Sequence, residues 1–272
     1  MNFKIANGNQ KHPQINAVSA LLDNVEITHD HLLRRKISVF QPKSGFRVGT
    51  DAVFLASSIK ENNGRILDMG AGVGGVSLCL AYRLDKVQIM AVEVDPLMST
   101  LAKRNVATNG FDKRLCIMQN NISTLPLIMA SSFDHVVSNP PYHHATGTKP
   151  KNRHRLLAHM GDGLTLEDWV KIAFWATKWR GRVSFICRAD RGAELVHFFA
   201  KAGASEILQF PLWPRPKVPA GRVIVQARKI TAGPGAVLPG LIVHNDDGGF
   251  TEAASRIMKG NGLHITHPAR KV

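Results

Sequence analysis

The sequence predicts an α/β fold: a mostly parallel seven-stranded sheet with helices on both faces, closed by an antiparallel hairpin. Three observations carry this expectation. Short apolar runs alternate with helix-like stretches through the middle of the chain, and that alternation argues parallel strands joined by helical crossovers. A glycine-rich stretch, Gly70-Ala71-Gly72-Val73-Gly74-Gly75, stands between an apolar strand and an apolar helix. The last two strand-like runs are joined by a proline-rich loop, 211–219, which fits a hairpin better than a crossover.

Taken in order, residues 1–24 are polar and are expected to form a poorly ordered extension. A single domain is expected over 25–272. A helix over 51–59 takes Thr50 as its cap. Strands are predicted at 65–69, 88–93, 114–119 and 133–138, with helices at 74–83 and 96–109, the second stopped by Gly110. A helix over 166–179 starts from Thr165 and counts Trp169, Trp175 and Trp179 among its apolar positions. A strand at 182–187, a helix at 190–202 and strands at 206–212 and 222–229 follow. The tail, 231–272, holds one apolar run at 238–243 and one helix at 251–258. It is expected to pack on the domain and not to form a second one.

A chain of 272 residues can bury a large core as one domain. Its net charge of +15, from 35 Lys and Arg against 20 Asp and Glu, points to a polyanionic partner or an anionic membrane surface. No run is long and apolar enough for a transmembrane helix, and the first residues lack the apolar core of a signal peptide. A cytoplasmic protein is therefore expected. Cys79, Cys116 and Cys187 are scattered within apolar runs and read as reduced core residues. No Cys/His spacing suggests a metal site.

The chemistry sits at strand ends. Glycines after the first strand allow a tight turn and close approach of a ligand to a helix amino end. Glu93 ends the following strand, where an acid can accept from ribose hydroxyls. These two features alone fit either NAD or S-adenosylmethionine (SAM). Asp68, just before the glycines, favours SAM, because a carboxylate there can hold an ammonium group but repels a pyrophosphate. No lysine follows the glycines, so a nucleotide-triphosphate P-loop is excluded.

Two strands later comes Asn139-Pro140-Pro141-Tyr142. Proline fixes φ and removes a donor, so this is a rigid corner. The Asn139 side-chain oxygen and the Pro140 carbonyl can both accept from one amino group, and Tyr142 can stack on a flat ring. The corner suits a planar group that carries an –NH2.

Together, Asp68-x-Gly70-x-Gly72, Val92-Glu93-Val94-Asp95 and Asn139-Pro140-Pro141-Tyr142 resemble a class I, Rossmann-like SAM-dependent amino-group methyltransferase. The lead-in Gln41-Pro42-Lys43-x-Gly45-Phe46-Arg47-x-Gly49-Thr50-Asp51-Ala52-Val53 narrows this to the bacterial tRNA-Val (adenine-N6)-methyltransferase family. Arg188-Ala189-Asp190-Arg191, Pro211-Leu212-Trp213-Pro214-Arg215 and Pro239-Gly240-Leu241-Ile242-Val243-His244 are similar to that family as well. The resemblance implies N6-methylation of the adenosine 3′ of the anticodon, with SAM as cofactor and tRNA as partner. It implies Asn139, Pro140 and Tyr142 as the catalytic corner. Around SAM it implies Gly70, Ala71, Gly72 and Gly74 at the methionine portion with Asp68, and Glu93 and Val94 at the ribose. Asn121 and Ile122 would flank the adenine, and Thr50 and Asp51 would help close the methionine end. The family usually has aspartate where this chain has Asn121; an amide oxygen can still accept the adenine amino group, without the charge.

The long connection 143–159 carries Lys149, Lys151, Arg153 and Arg155 beside this corner and is expected to touch an RNA backbone. His143 and His144 are expected to touch substrate at most. Three other functions share these residues. The amide –NH2 of a release-factor glutamine fits the same acceptors. Adenine in rRNA or DNA would use the same corner. A non-catalytic SAM-sensing RNA-binding module would have no need of an amino-group clamp.

Overall fold

A computed structural model describes residues 25–61, 63–141, 163–229 and 233–266. The expectations placed on 1–24, on Tyr142 and the basic 143–159 loop, and on the ends of the tail lie outside the described residues.

The domain opens with a hairpin that the sequence reading did not anticipate. Strands β1 (Ile27–Leu32) and β2 (Ile37–Pro42) pair antiparallel. Ile37 and Val39 alternate with Ser38 and Phe40, so one face of β2 is buried in the core. The opposite edge is bonded to a helix, not to a strand: Asn105 and Asn109, one turn apart, each donate to and accept from the backbone of Phe40 and Ser38 at 2.7–3.0 Å. Those amides stand in for a strand neighbour and satisfy backbone groups that would otherwise be buried unpaired.

Helix α1 (Thr50–Ser57) follows, with Gly49 and not Thr50 at the N-cap position. The α/β core then alternates as expected. Its first half is β3 (Gly64–Met69), α2 (Gly75–Arg83), β4 (Val87–Glu93), α3 (Pro96–Thr108), β5 (Leu115–Gln119) and β6 (Phe133–Ser138). The second half is α4 (Leu166–Ala176), β7 (Thr177–Arg188), α5 (Gly192–Lys201), β8 (Ala204–Trp213) and β9 (Arg222–Lys229). Helix α4 is three residues shorter than the sequence suggested. Thr177 turns extended and pairs with Phe133 of β6, and its hydroxyl bonds to the Ala173 carbonyl at 2.7 Å. Trp179 therefore stands on β7, exposed, and not on an apolar helix face.

The sheet runs β10-β8-β9-β7-β6-β3-β4-β5. The seven long strands match expectation, with β9 antiparallel to both β7 and β8. Two short strands of the tail, β10 (Ala236–Val237) and β11 (Leu241–Ile242), add to β8 in parallel. Helix α6 (Glu252–Met258) completes the tail and buries Ala254 and Ile257. Alternate residues of each central strand serve opposite faces. Ile66 and Val137 pack into one core cluster, and Leu67 and Val136 into the other.

This topology positions the site. From β3 the chain steps outward through β4 and β5, whereas β6 returns to the other side of β3 and leads to β7. Connections diverge at the carboxyl ends of β3 and β6. Open α/β sheets bind ligands at such a switch point.

Candidate active site

The glycine turn is fastened to the end of β4. Gly70 and Ala71 both donate to the Val92 carbonyl, at 2.9 and 3.0 Å. Gly70, Gly72 and Gly74 all lie in left-handed backbone, at φ 71, 58 and 89. A side chain is disfavoured in that conformation. At Gly70 space forbids one too, since a Cβ would meet the Trp169 indole at 2.5 Å.

Glu93 closes the turn from the other side. Its Oε2 accepts from the Gly72 N–H at 2.7 Å and its Oε1 from the Asp95 N–H at 2.8 Å. Burial raises its carboxyl above the usual range, against the pull of these backbone donors. Each oxygen has a second lone pair, so the side chain can still accept from a ligand. Asp95 caps α3, accepting from the Leu97 and Met98 N–H groups at 2.8 and 3.1 Å.

A cleft opens over these residues. Gly70, Gly72, Glu93, Val94, Asn121, Ile122 and Asn139, all singled out in the sequence, line it. Phe46, Val92, Asp95, Met98, Asn120, Pro141, Leu164 and Trp169 line it as well. The Ser138 hydroxyl donates to the Met69 carbonyl at 2.8 Å, which ties the end of β6, and with it the Asn139 corner, to the end of β3. Asn121 accepts from the Ser123 N–H at 2.9 Å and so caps a short 3-10 turn, Ile122–Thr124, while facing the cleft.

Several expected residues stand elsewhere. Asp68 is 1% exposed and does not line the cleft. It accepts from the Ser77 hydroxyl and N–H at 2.6 and 3.1 Å. Burial pushes its carboxyl up to about 6, with the nearby Glu93 adding to the rise and the Ser77 bonds opposing it. Asp68 therefore ties β3 to α2 beneath the turn and does not reach an ammonium group in the cleft. Ala71 is buried behind the turn, and Gly74 caps α2. Thr50 and Asp51 also lie off the cleft; Asp51 accepts from Arg222 Nε at 2.7 Å and so joins α1 to β9. Phe46 of the same lead-in does line the cleft, half-exposed with its ring against Gly72. Pro140 is buried between two lining residues.

Of the residues the sequence reading missed, Phe46 had a legible signal: a lone aromatic between glycines in the lead-in. Trp169 had none, because an apolar residue on a helix reads first as core.

The described part of the cleft is acidic. Among the described residues that line it, two are acidic and none is basic. A ligand carrying a positive charge is favoured beside these carboxylates. The glycine turn and the acid at the end of β4 are compatible with SAM. Among the described residues no group of His, Cys, Asp and Glu could hold a metal, and no helix is long and apolar enough to cross a membrane.

Fold and cleft together define a Rossmann-like class I methyltransferase. Residues 35–167 match the methyltransferase small domain. The chain is 32% identical over 164 residues to the tRNA1(Val) (adenine(37)-N6)-methyltransferase of Haemophilus influenzae strain PittEE, covering 60% of this chain and 70% of that protein. It is 31% identical over 169 residues to the protein of the same name from Porphyromonas gingivalis strain ATCC 33277, covering 59% and 66%. It belongs to that methyltransferase family. Among solved structures, one from Agrobacterium tumefaciens described as a predicted O-methyltransferase superposes with a TM-score of 0.66 at 25% identity, covering 79% of this chain and 98% of that one. M. jannaschii TYW2 in complex with AdoMet shares the fold, with a TM-score of 0.50 at 16% identity over 71% and 81% of the two chains.

Proposed function

We propose that the protein moves the methyl group of SAM to N6 of an adenosine in tRNA, the adenosine just 3′ of the anticodon in valine tRNA. The observation that carries this reading is the Asn139–Pro141 corner opening into the same cleft as Glu93 and the glycine turn. An amino-group acceptor thus faces a methyl-donor site. The names of the relatives supply the adenine, its position and the tRNA.

SAM supplies an activated methyl group, so orientation is the main task left to the protein. The Asn139 side-chain oxygen accepts one N6 hydrogen. The Pro140 carbonyl accepts the other; that role needs only the backbone of a residue whose ring is buried. Between them they turn the nitrogen lone pair toward the glycine-turn side of the cleft. Glu93 accepts from ribose hydroxyls, while Asn121 and Ile122 flank the cofactor adenine. Gly70 and Gly72 give the methionine portion close access to the backbone. Tyr142, next along the chain, stacks on the target base, and Lys149, Lys151, Arg153 and Arg155 hold RNA phosphates. An anticodon-loop base is easier to withdraw than a paired one. No covalent nucleophile is needed: Cys79 and Cys187 are buried, each with its thiol pushed by burial up to about 12, and Cys116, exposed on β5 and not the core residue its apolar run suggested, does not line the cleft. A tRNA substrate implies the cytoplasm as the compartment.

The test is methyl transfer from labelled SAM to total tRNA, rRNA and a release factor offered separately, followed by nucleoside mass spectrometry. N6-methyladenosine in tRNA is the expected product. Label in the release factor alone would replace this reading with glutamine-amide methylation.

A further inference from the structure

The active cleft occupies only half of the carboxyl edge of the sheet. The other half is formed where β7, β8 and β11 end and β9 begins. Arg188 pairs with Arg222, Arg222 with Leu212, and Leu212 with Leu241. A second groove lies there, between the 214–221 loop, the 239–242 segment and the start of α6. Its lining is apolar with a cationic rim. Trp213 is anchored by an Nε1 bond to the Pro239 carbonyl at 3.1 Å. Val218 and Ile242 are 41% and 40% exposed. Arg215 and Lys217 are exposed on the loop.

Charge compensation singles these two cations out. The other basic residues of this edge have acidic partners: Arg188 with Asp190, Arg191 with Glu194, and Arg222 with Asp51. Among the described residues no acid forms an ion pair with Arg215 or Lys217, and Arg215 lies beside the turn that carries Asp246 and Asp247. Lys217 is also held in left-handed backbone, at φ 62, a conformation that residues with side chains seldom adopt. An apolar surface beside exposed cations that make no ion pair suits a nucleic-acid strand, whose bases stack while its phosphates pair.

We infer that this groove holds the RNA strand adjoining the target nucleotide, with Arg215 and Lys217 on its phosphates and Trp213, Val218 and Ile242 against an unstacked base. The inference rests on the tRNA reading. From β6, whose end leads into Asn139, to β11 is four strand steps through β7, β9 and β8. At about 4.8 Å per step this is about 19 Å, a span that a few nucleotides of single strand can cover.

Two double variants test it: Arg215→Ala with Lys217→Ala, and Val218→Ser with Ile242→Ser. Binding of an unmodified valine-tRNA transcript is followed by fluorescence anisotropy across a salt series. The charge variant should bind about tenfold more weakly at 0.1 M salt. Its plot of log K against log[salt] should be shallower by about 1.4, since each single-strand phosphate contributes about 0.7. The apolar variant should weaken binding a few-fold without changing the slope. Melting temperature and SAM affinity should match wild type in both. If wild type binds the transcript with a steep slope and the charge variant matches it in affinity and slope, the groove assignment falls while the tRNA reading stands. If wild type neither binds nor methylates tRNA, both fall. Loss of methylation confined to a protein substrate would make the groove a peptide site and overturn the assignment.

Discussion

Gly70→Ala tests whether the cleft owes its shape to close approach between the glycine turn and Trp169. Gly70 lies at φ 71, and an added Cβ would stand 2.5 Å from Cη2 and 3.1 Å from Cζ3 of the indole. Left-handed backbone costs alanine about 1–2 kcal/mol. Forced overlap in a packed site costs about 1–3 kcal/mol more. The indole is 9% exposed, on a helix whose Val170, Ala173 and Phe174 are also buried. Trp169→Phe removes the reaching ring carbons and keeps an aromatic wall. Denaturant unfolding of wild type, both single variants and the double variant closes a thermodynamic cycle, and calorimetric titration with SAM reads the cleft. Gly70→Ala should be less stable by about 2–5 kcal/mol and bind SAM more weakly. In the Trp169→Phe background the same change should cost only the backbone portion, about 1–2 kcal/mol. A Gly70→Ala protein within about 0.5 kcal/mol of wild type, or no coupling to Trp169→Phe, would refute the reasoning.

Glu93→Ala should weaken SAM and S-adenosylhomocysteine alike, by about 1.5–3 kcal/mol, because the ribose is common to both and a charged acceptor is lost; calorimetry showing a loss for only one of them would move Glu93 away from the ribose. Asp68 titrates near 6 in the fold, above its ordinary 3.8, so the folded chain keeps a proton that the unfolded chain has already lost. Stability should therefore fall as pH rises from about 4 to about 6, by up to about 3 kcal/mol from this group. Asp68→Asn should flatten that fall in pH-resolved denaturant melts; an unchanged slope would mean that Asp68 is not the buried acid responsible.

The parts of this protein that were legible in the sequence are those where a residue type has few alternative uses. Glycines between a strand and a helix, an acid at the tip of the next strand and a double proline after an asparagine each constrain backbone or charge locally. All three converge on one cleft. The hairpin β1–β2 was hidden because its turn carries no glycine or asparagine. Leu33, Arg34 and Arg35 take left-handed backbone at φ 48, 52 and 70. The end of α4 was hidden because pairing of Thr177 with β6 overrides a helical apolar spacing that runs on to Trp179. Asp68 was misplaced for another reason. Sequence locates it at the strand end but cannot tell that Ser77, nine residues on, supplies two donors beneath the turn. Long-range pairing of this kind also decides Asp51, whose partner Arg222 is far along the chain.

Single-turnover methyl transfer by Asn139→Ala, measured beside its SAM affinity, tests the central claim most directly. If Asn139 holds the reacting nitrogen, transfer to valine tRNA should fall by at least about a hundredfold, since a preorganised acceptor of this kind contributes roughly 3 kcal/mol to the transition state. SAM affinity should stay within a few-fold of wild type, and mass spectrometry should identify the wild-type product as N6-methyladenosine. Near-normal transfer by Asn139→Ala would contradict the account.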